Sequence, residues 1–163
     1  MHPIKNDIEY KHEIVKKYFD TVYRLALSQT QDRTRADDVV QETFLRYIKI
    51  DKEFESEEHI KAWLLRVTIN CSKSSFTTSW HKKTVPLTED ISTEMPEIEE
   101  VYAVVAQLPR KYRTVIHLFY YEDMSVKEIA GLLSTGESTI KSQLHRAREM
   151  LRAKLEGGDS IEF

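Results

Sequence analysis

The most constraining feature of this sequence is the stretch 125–155, where a helix start signal, a turn and a long apolar stripe follow one another. Ser125 and Glu128 form the S-x-x-E pattern of a capping box, in which each side chain satisfies a free amide at a helix start. The turn formers at 134–136 then separate this short helix from a second helix. Two short helices joined by a tight turn predict a helix-turn-helix. The second helix repeats apolar residues every three or four positions, which predicts one buried face: Ile140, Leu144, Ala147, Leu151 and Leu155.

The second of these helices carries polar and basic side chains opposite its apolar stripe. Residues 139–155 include five Lys or Arg residues and one acid, Glu149. Phosphate is attracted by a local basic field, so the net charge of −3 for the whole chain does not exclude nucleic-acid binding. The same pattern also fits a plain helical hairpin whose basic face is merely solvated, and periodicity alone favours neither interpretation.

The charge of the chain is divided into blocks. Residues 60–83 contain five basic residues and no acid, whereas residues 84–100 contain six acids, two prolines and no base. An acidic, proline-containing stretch without a helical stripe is typical of a tethering linker. We therefore expect a domain at residues 1–83, an acidic linker at 84–100 and a second domain at 101–163.

Composition restricts the fold class and the chemistry. With only four glycines and four prolines in 163 residues, the chain is predicted to be all-α, with two small helical domains flanking the linker. The lone Cys71 excludes an intramolecular disulfide, and no Cys/His cluster has zinc spacing. Apolar runs are too short for a signal peptide or a membrane span. Because no catalytic motif is recognisable, we expect neither an enzyme nor a cofactor.

The N-terminal part predicts three helices: one at 8–28, one opening at Thr34 or Arg35, and one running from Ile60 through Asn70 towards Lys83. For Phe76 we favour core packing, whereas Trp80 fits core packing and base stacking equally well. In the second helix, polar side chains are expected to point outward, and a solvated face is their default explanation. The side chains expected to pack inward there are Val40, Phe44, Tyr47 and Ile48.

Three stretches of the sequence are similar, in the same order, to segments of one protein family. They are residues 36–46 (ADDVVQETFLR), residues 62–70 (AWLLRVTIN) and residues 108–148, which run from LPRKYR through SVKEIA to KSQLHRAR. Together they resemble the sigma-70 family of bacterial RNA polymerase initiation factors, and more narrowly its extracytoplasmic-function (ECF) type. In that family these segments dock on the β′ clamp helices, recognise the minus-ten promoter element and bind the minus-thirty-five element.

The resemblance implies an all-α promoter-specificity factor that binds core RNA polymerase, at the β′ clamp helices and the β flap, and promoter DNA. It places the acidic loop around Phe54 beside a flipped minus-ten base. It implies polymerase-binding roles for Asp38, Gln41, Glu42 and Arg46. It implies minus-ten contacts for Asn70, Lys73, Trp80, Lys82 and Lys83. It implies minus-thirty-five contacts for Ser138, Thr139, Lys141, Ser142, His145, Arg146 and Arg148.

The resemblance also implies a cytoplasmic protein with an anti-sigma partner, which in this type is often membrane-anchored. The sequence departs from the usual family pattern at Ser134, Gly136 and Gln143, where glycine, serine and arginine are common. Two other readings of the helix-turn-helix remain at this stage. One is a transcriptional regulator that acts without joining RNA polymerase, and the other is a helical adaptor that binds only protein.

Overall fold

The computed structural model describes residues 7–73 and 96–156, which form helices joined by short connections, with no β-strand among them. This confirms the predicted all-α class. The chain divides into two compact units, Met1–Thr88 and Glu89–Phe163. Within the described ranges, no helix is long and apolar enough to cross a membrane.

The first unit consists of three helices, α1 (Ile8–Thr30), α2 (Arg33–Lys49) and α3 (Glu57–Lys73). Helix α2 begins slightly before the predicted start because the Asp32 carboxylate accepts hydrogen bonds from the backbone amides of Thr34 and Arg35. A side-chain oxygen at this position satisfies amides that have no partner within the helix. The end of α1 and the start of α2 are therefore separated by only two residues.

The core of the first unit is one apolar cluster to which all three helices contribute. Its buried members include Ile14, Val22, Ala26, Val39, Val40, Phe44, Tyr47, Phe54, Ile60 and Leu64. Ile48 was expected to join this core, but its residue is 49% exposed. It lies at the flank of the buried stripe, on the same side as Leu45 and Gln41, because residues one and two turns apart share a helix face. The prediction for Ile48 was wrong.

The second unit begins with α4 (Pro96–Val105), followed by α5 (Arg110–Ile116) and a π-helical segment (His117–Tyr121). Helix α4 starts inside the stretch expected to be linker, with proline at its first position, where the missing amide costs no hydrogen bond. The proline that suggested a linker thus stands at a helix start. The linker's first part, residues 84–95, lies outside the described residues.

Helices α6 (Val126–Leu133) and α7 (Glu137–Leu155) form the predicted helix-turn-helix. The capping box is present: Glu128 donates its amide to Ser125 Oγ at 3.1 Å, and Ser125 donates its amide to Glu128 Oε1 at 2.9 Å. Ser134 ends α6 in the left-handed conformation, with φ 54° and ψ 48°. The predicted stripe on α7 is buried at Ile140, Leu144, Ala147 and Leu151.

Candidate nucleic-acid and protein interfaces

The face of α7 opposite its buried stripe is open to solvent. Two turns of the helix present hydroxyl, basic and imidazole side chains there, since residues three and four apart share a face. Each of the six residues in this group is exposed: Ser138, Thr139, Lys141, Ser142, His145 and Arg146. The structure therefore brings together most of the residues proposed for the minus-thirty-five element. An exposed helix of this length and charge has the dimensions that suit a major groove.

A cleft of about 340 Å³ lies between this face and α5. On the α7 side it is lined by Ser138, Thr139, Ser142, Gln143 and Arg146, and on the α5 side by Lys111 and Tyr112. The Lys111 ammonium lies 5.0 Å from the centre of the Tyr112 ring. Sequence reasoning missed Lys111 as a candidate. The available signal was the basic pair that directly follows Pro109, but only the folded unit shows that it borders the same cleft as Arg146.

Arg148 differs from the other basic residues of α7. Its Nε donates a hydrogen bond to the Tyr120 hydroxyl at 2.7 Å, and its guanidinium lies 5.5 Å from the Phe119 ring centre and 5.6 Å from that of Tyr120. A cation over two aromatic faces is attracted by their electron density. Arg148 thus links α7 to the π-helical segment, and its proposed contact with DNA stays a prediction.

A buried pair stands at the end of that π-helical segment. His117 Nε2 lies 3.3 Å from Glu122 Oε2, and both side chains are almost fully buried. The backbone amide of Glu122 also donates to the His117 carbonyl at 3.2 Å. These contacts join the two ends of the turn that contains Phe119 and Tyr120, and so help to position the two rings that Arg148 contacts.

On α2, the outward face combines charged and apolar side chains. Gln41 is exposed, and Glu42 Oε2 accepts a hydrogen bond from Arg46 Nε at 2.7 Å, which raises the pKa of Arg46. Leu45 and Ile48 on the same face are 48% and 49% exposed. Sequence reasoning treated this face as polar and missed the two apolar residues. A second apolar row beside the buried stripe was the signal that could have identified them.

Asp38, another of the proposed polymerase-binding residues, is partly buried. Its Oδ2 is buried and has no hydrogen-bond partner among the described residues. Burial raises the pKa of this carboxyl, and the neighbouring Asp37 and Asp32 raise it further. Buried polar atoms in proteins are nearly always hydrogen-bonded, so Oδ2 of Asp38 is an exception, and a donor from a partner would reach it only if the side chain turned outward.

The residues proposed for the minus-ten element are only partly visible. Asn70 and Lys73 are exposed in the last turn of α3, whereas Trp80, Lys82 and Lys83 lie outside the described residues, as does Phe76. No group of His, Cys, Asp or Glu that could hold a metal ion occurs in the described part of the chain.

The acidic loop between α2 and α3 comprises residues 51–56 and is called the 51–56 loop; Phe54 in it is buried. The Phe54 ring lies 6.4 Å from that of Tyr47 and 6.0 Å from that of Trp63. Phe54 is thus a core residue. The loop turns a different set of side chains to solvent, namely Asp51, Lys52, Glu53 and Glu55.

Two family models match the chain in the order of its units. The model described as Sigma-70 region 2 matches residues 14–81, and the one described as Sigma-70, region 4 matches residues 98–151. The first range includes α2 and α3, and the second includes α6 and most of α7.

Relatives and solved structures agree with these matches. The ECF RNA polymerase sigma factor SigM of Bacillus subtilis is 34% identical, with 92% of this chain and 98% of SigM aligned. SigW of the same organism is 28% identical over 93% of this chain and 91% of SigW.

Two solved structures share the fold. The sigma factor RpoE of Bartonella quintana, in complex with the anti-sigma factor NepR, matches with a TM-score of 0.70 at 21% identity, covering 93% of this chain and 99% of RpoE. CnrH, in complex with the cytosolic domain of CnrY, gives 0.68 at 24% identity, covering 94% of this chain and 92% of CnrH. The chain belongs to the ECF RNA polymerase sigma factors, and it is a sigma factor that directs promoter-specific transcription.

Proposed function

We propose that this sigma factor joins core RNA polymerase through the outward face of α2 and contacts both promoter elements, each with one of its units. The observation that carries the proposal is the exposed, polar and basic face of α7 beside the Lys111–Arg146 cleft. The remaining contacts are assigned from the positions of candidate residues on helix faces and loops, except those of Trp80, Lys82, Lys83 and the β flap, which rest on the family resemblance.

For the minus-thirty-five element, α7 would enter the major groove with its exposed face. Arginine recognises guanine by a bidentate hydrogen bond, and hydroxyls and lysines hold phosphates. Arg146 and Lys111, on opposite sides of the cleft, would neutralise or read neighbouring groups of the duplex. His145 Nε2 lies 2.7 Å from Glu149 Oε1, so its imidazole is oriented by a carboxylate on the same helix.

For the minus-ten element, the end of α3 and the 51–56 loop would contact the melted strand. Asn70 and Lys73 offer an amide and a cation at an exposed helix end. The loop offers carboxylate acceptors, which can receive hydrogen bonds from a base that has left the stack. The prediction that Trp80, Lys82 and Lys83 follow the strand rests on the family resemblance alone.

For polymerase docking, the α2 face offers three kinds of contact. Asp38 supplies a carboxylate, Gln41 supplies an exposed amide, and Leu45 and Ile48 supply apolar surface. An apolar centre with polar groups around it is the usual composition of a protein interface. The Glu42–Arg46 pair would lie at its rim. The β flap would be a second contact on core polymerase.

We further propose that the chain has no catalytic activity of its own and acts in the cytoplasm. An anti-sigma partner is supported by the structure of RpoE in complex with the anti-sigma factor NepR, and CnrH, which shares the fold, is likewise in complex with a second protein, the cytosolic domain of CnrY. Anchoring of that partner in a membrane would hold the sigma factor there until release.

Run-off transcription tests the docking proposal. Core RNA polymerase and genomic fragments would be combined with wild type, with a Gln41→Ala/Glu42→Ala variant, and with a His12→Ala/Glu13→Ala control on the exposed face of α1. We expect specific transcripts with wild type and control and a strong loss with the α2 variant. Equal transcription from all three proteins would refute docking through α2.

A further inference from the structure

Helix α1 contacts the start of the 51–56 loop through a buried lysine. Lys11 is 6% exposed, and its ammonium donates hydrogen bonds to the carbonyls of Tyr47, Ile48 and Ile50 at 3.2, 2.9 and 2.7 Å. These are the last carbonyls of α2, which have no partner within their own helix. Ile50 is the cap residue that follows the last residue of α2, so the bond from Lys11 helps to fix the direction in which the chain leaves the helix.

The same helix contacts the other end of the loop. Glu57 is the first residue of α3, and its Oε2 accepts a hydrogen bond from the Tyr18 hydroxyl at 2.7 Å and one from Lys17 Nζ at 2.5 Å. Lys11 and Tyr18 are two turns apart, so they lie on one side of α1. One helix therefore holds both ends of the loop.

Between these ends, the loop is held at its centre by the core. Phe54 packs against the rings of Tyr47 and Trp63, which also contact each other, and the Lys52 ammonium lies 5.3 Å from the Phe54 ring centre. Three carboxylates of the loop, those of Asp51, Glu53 and Glu55, remain exposed. A loop fixed at three points presents its exposed groups in one arrangement.

We propose that α1 positions the 51–56 loop for the melted minus-ten strand, with Lys11 and Tyr18 as positioning residues. The inference rests on the proposed contact between this loop and DNA. If only the ordered loop can bind the correct base, apparent affinity for promoters that carry this base falls with the fraction of molecules in which the loop is ordered, whereas affinity for promoters without it does not, so base preference falls as well. Hydrogen bonds that fix the loop before DNA arrives raise that fraction and sharpen the choice of base.

Two variants and one matched control test the proposal. Lys11→Met keeps the length of the buried stem but removes the ammonium, and Tyr18→Phe removes only the hydroxyl. Lys16→Met makes the same exchange at an exposed position of α1. Each would be assembled with core polymerase on the promoter that gives the strongest run-off transcript. Base unstacking would be followed by 2-aminopurine fluorescence in the minus-ten element, and discrimination by single-base substitutions there.

We expect Lys11→Met to reduce the preference for the correct minus-ten bases by roughly tenfold and Tyr18→Phe to reduce it less, with core binding within about twofold of wild type. A purely structural role would lower all activities together and leave the preference unchanged. Unchanged base preference in both variants would overturn the proposal. If Lys11→Met does not fold, the result with Tyr18→Phe decides.

A loop variant separates this inference from the proposed function. Asp51→Asn/Glu53→Gln/Glu55→Gln removes the exposed carboxylates without touching the contacts of α1. If it alters base preference while Lys11→Met and Tyr18→Phe do not, the loop contacts DNA but α1 does not position it. If it alters nothing, the loop does not read the strand, and the proposed function of the loop and this inference both fail.

Discussion

The two units present their candidate DNA contacts in different ways. In the second unit, six candidates stand on the exposed face of a single helix, α7, and the helix repeat alone places them together. In the first unit, the 51–56 loop takes its position from α1, through contacts between residues about forty positions apart in sequence, such as Lys11 and Ile50. The candidate DNA contacts of the first unit therefore depend on tertiary contacts, whereas those of the second unit depend on the local helix repeat.

This difference predicts which substitutions should alter DNA binding directly and which should alter it through the fold. A change on the exposed face of α7 should alter binding and leave folding intact, because those side chains are not part of the core. A change among the polar groups of α1 should alter the shape of an interface that it does not itself form. The following predictions are ordered from the largest expected effect to the smallest.

The largest effect should come from truncating the core of one unit. Leu144→Ala removes a residue that is 2% exposed in the second unit and should destabilise that unit by about 2–5 kcal/mol. Leu64→Ala is the matched change in the first unit, where the residue is 1% exposed. Hydrogen exchange of the full chain should show each variant opening its own unit only. If either variant opened both units equally, the two units would not be independent in stability, and the comparison between them would fail.

Arg146→Ala should weaken binding to the minus-thirty-five element by about tenfold and leave the stability of the unit unchanged, because Arg146 is exposed opposite the buried stripe. Titration of a labelled promoter duplex at several salt concentrations measures both the affinity and its salt slope. A slope that falls by about one indicates a phosphate contact, and an unchanged slope with altered base preference indicates a base contact. Unchanged affinity would refute the docking of α7.

Arg148→Ala is the comparison for that variant. It removes the hydrogen bond to the Tyr120 hydroxyl and the contact with two rings, so it should lower stability by about 1 kcal/mol. A loss of DNA affinity without any loss of stability would show that Arg148 acts on DNA directly, as the resemblance implies.

Substitutions that give the turn of the helix-turn-helix the residues common in the family should increase the stability of the second unit. Ser134 adopts φ 54°, a left-handed conformation that costs roughly 1 kcal/mol for residues other than glycine, so Ser134→Gly should stabilise the unit by up to that amount. Gly136→Ser should add a helix cap worth a few tenths of a kcal/mol, since no atom lies within 4 Å of the new Cβ. Urea unfolding of the single and double variants measures both. A destabilising Ser134→Gly would show that the serine side chain makes a compensating contact.

The smallest effect should be a pH-dependent contribution from Glu57. Hydrogen bonds from Lys17 and then Tyr18 lower the pKa of Glu57 below its ordinary value of 4.5. A carboxyl with a lowered pKa in the folded state adds stability above its unfolded pKa and loses it as pH falls through the folded pKa. The stability advantage of wild type over Glu57→Gln should therefore be present at neutral pH and shrink below pH 4.5. Urea unfolding of both proteins at neutral pH and below pH 4.5 measures this difference in stability. A difference that is the same at both pH values would show that the charge of Glu57 does not contribute to stability.

Much of the molecule follows from local sequence. The capping box at Ser125 and Glu128, the turn after α6 and the apolar stripe of α7 are patterns within a few residues of one another, and each is present in the structure. Their physical basis is local: free amides at a helix start need acceptors, and one helix face needs burial. The fold class and the exposed face of α7 could be predicted for that reason.

Only the tertiary structure determined which residues far apart in sequence contact one another. The exposure of Ile48, the burial of Phe54 against Tyr47 and Trp63, and the hydrogen bond from Arg148 to Tyr120 were not predicted. Whether a side chain at the edge of an apolar stripe is buried depends on which helix covers it, and the partner of a long cationic side chain depends on what the fold brings within reach. Local periodicity contains neither piece of information, because both are properties of packing between helices.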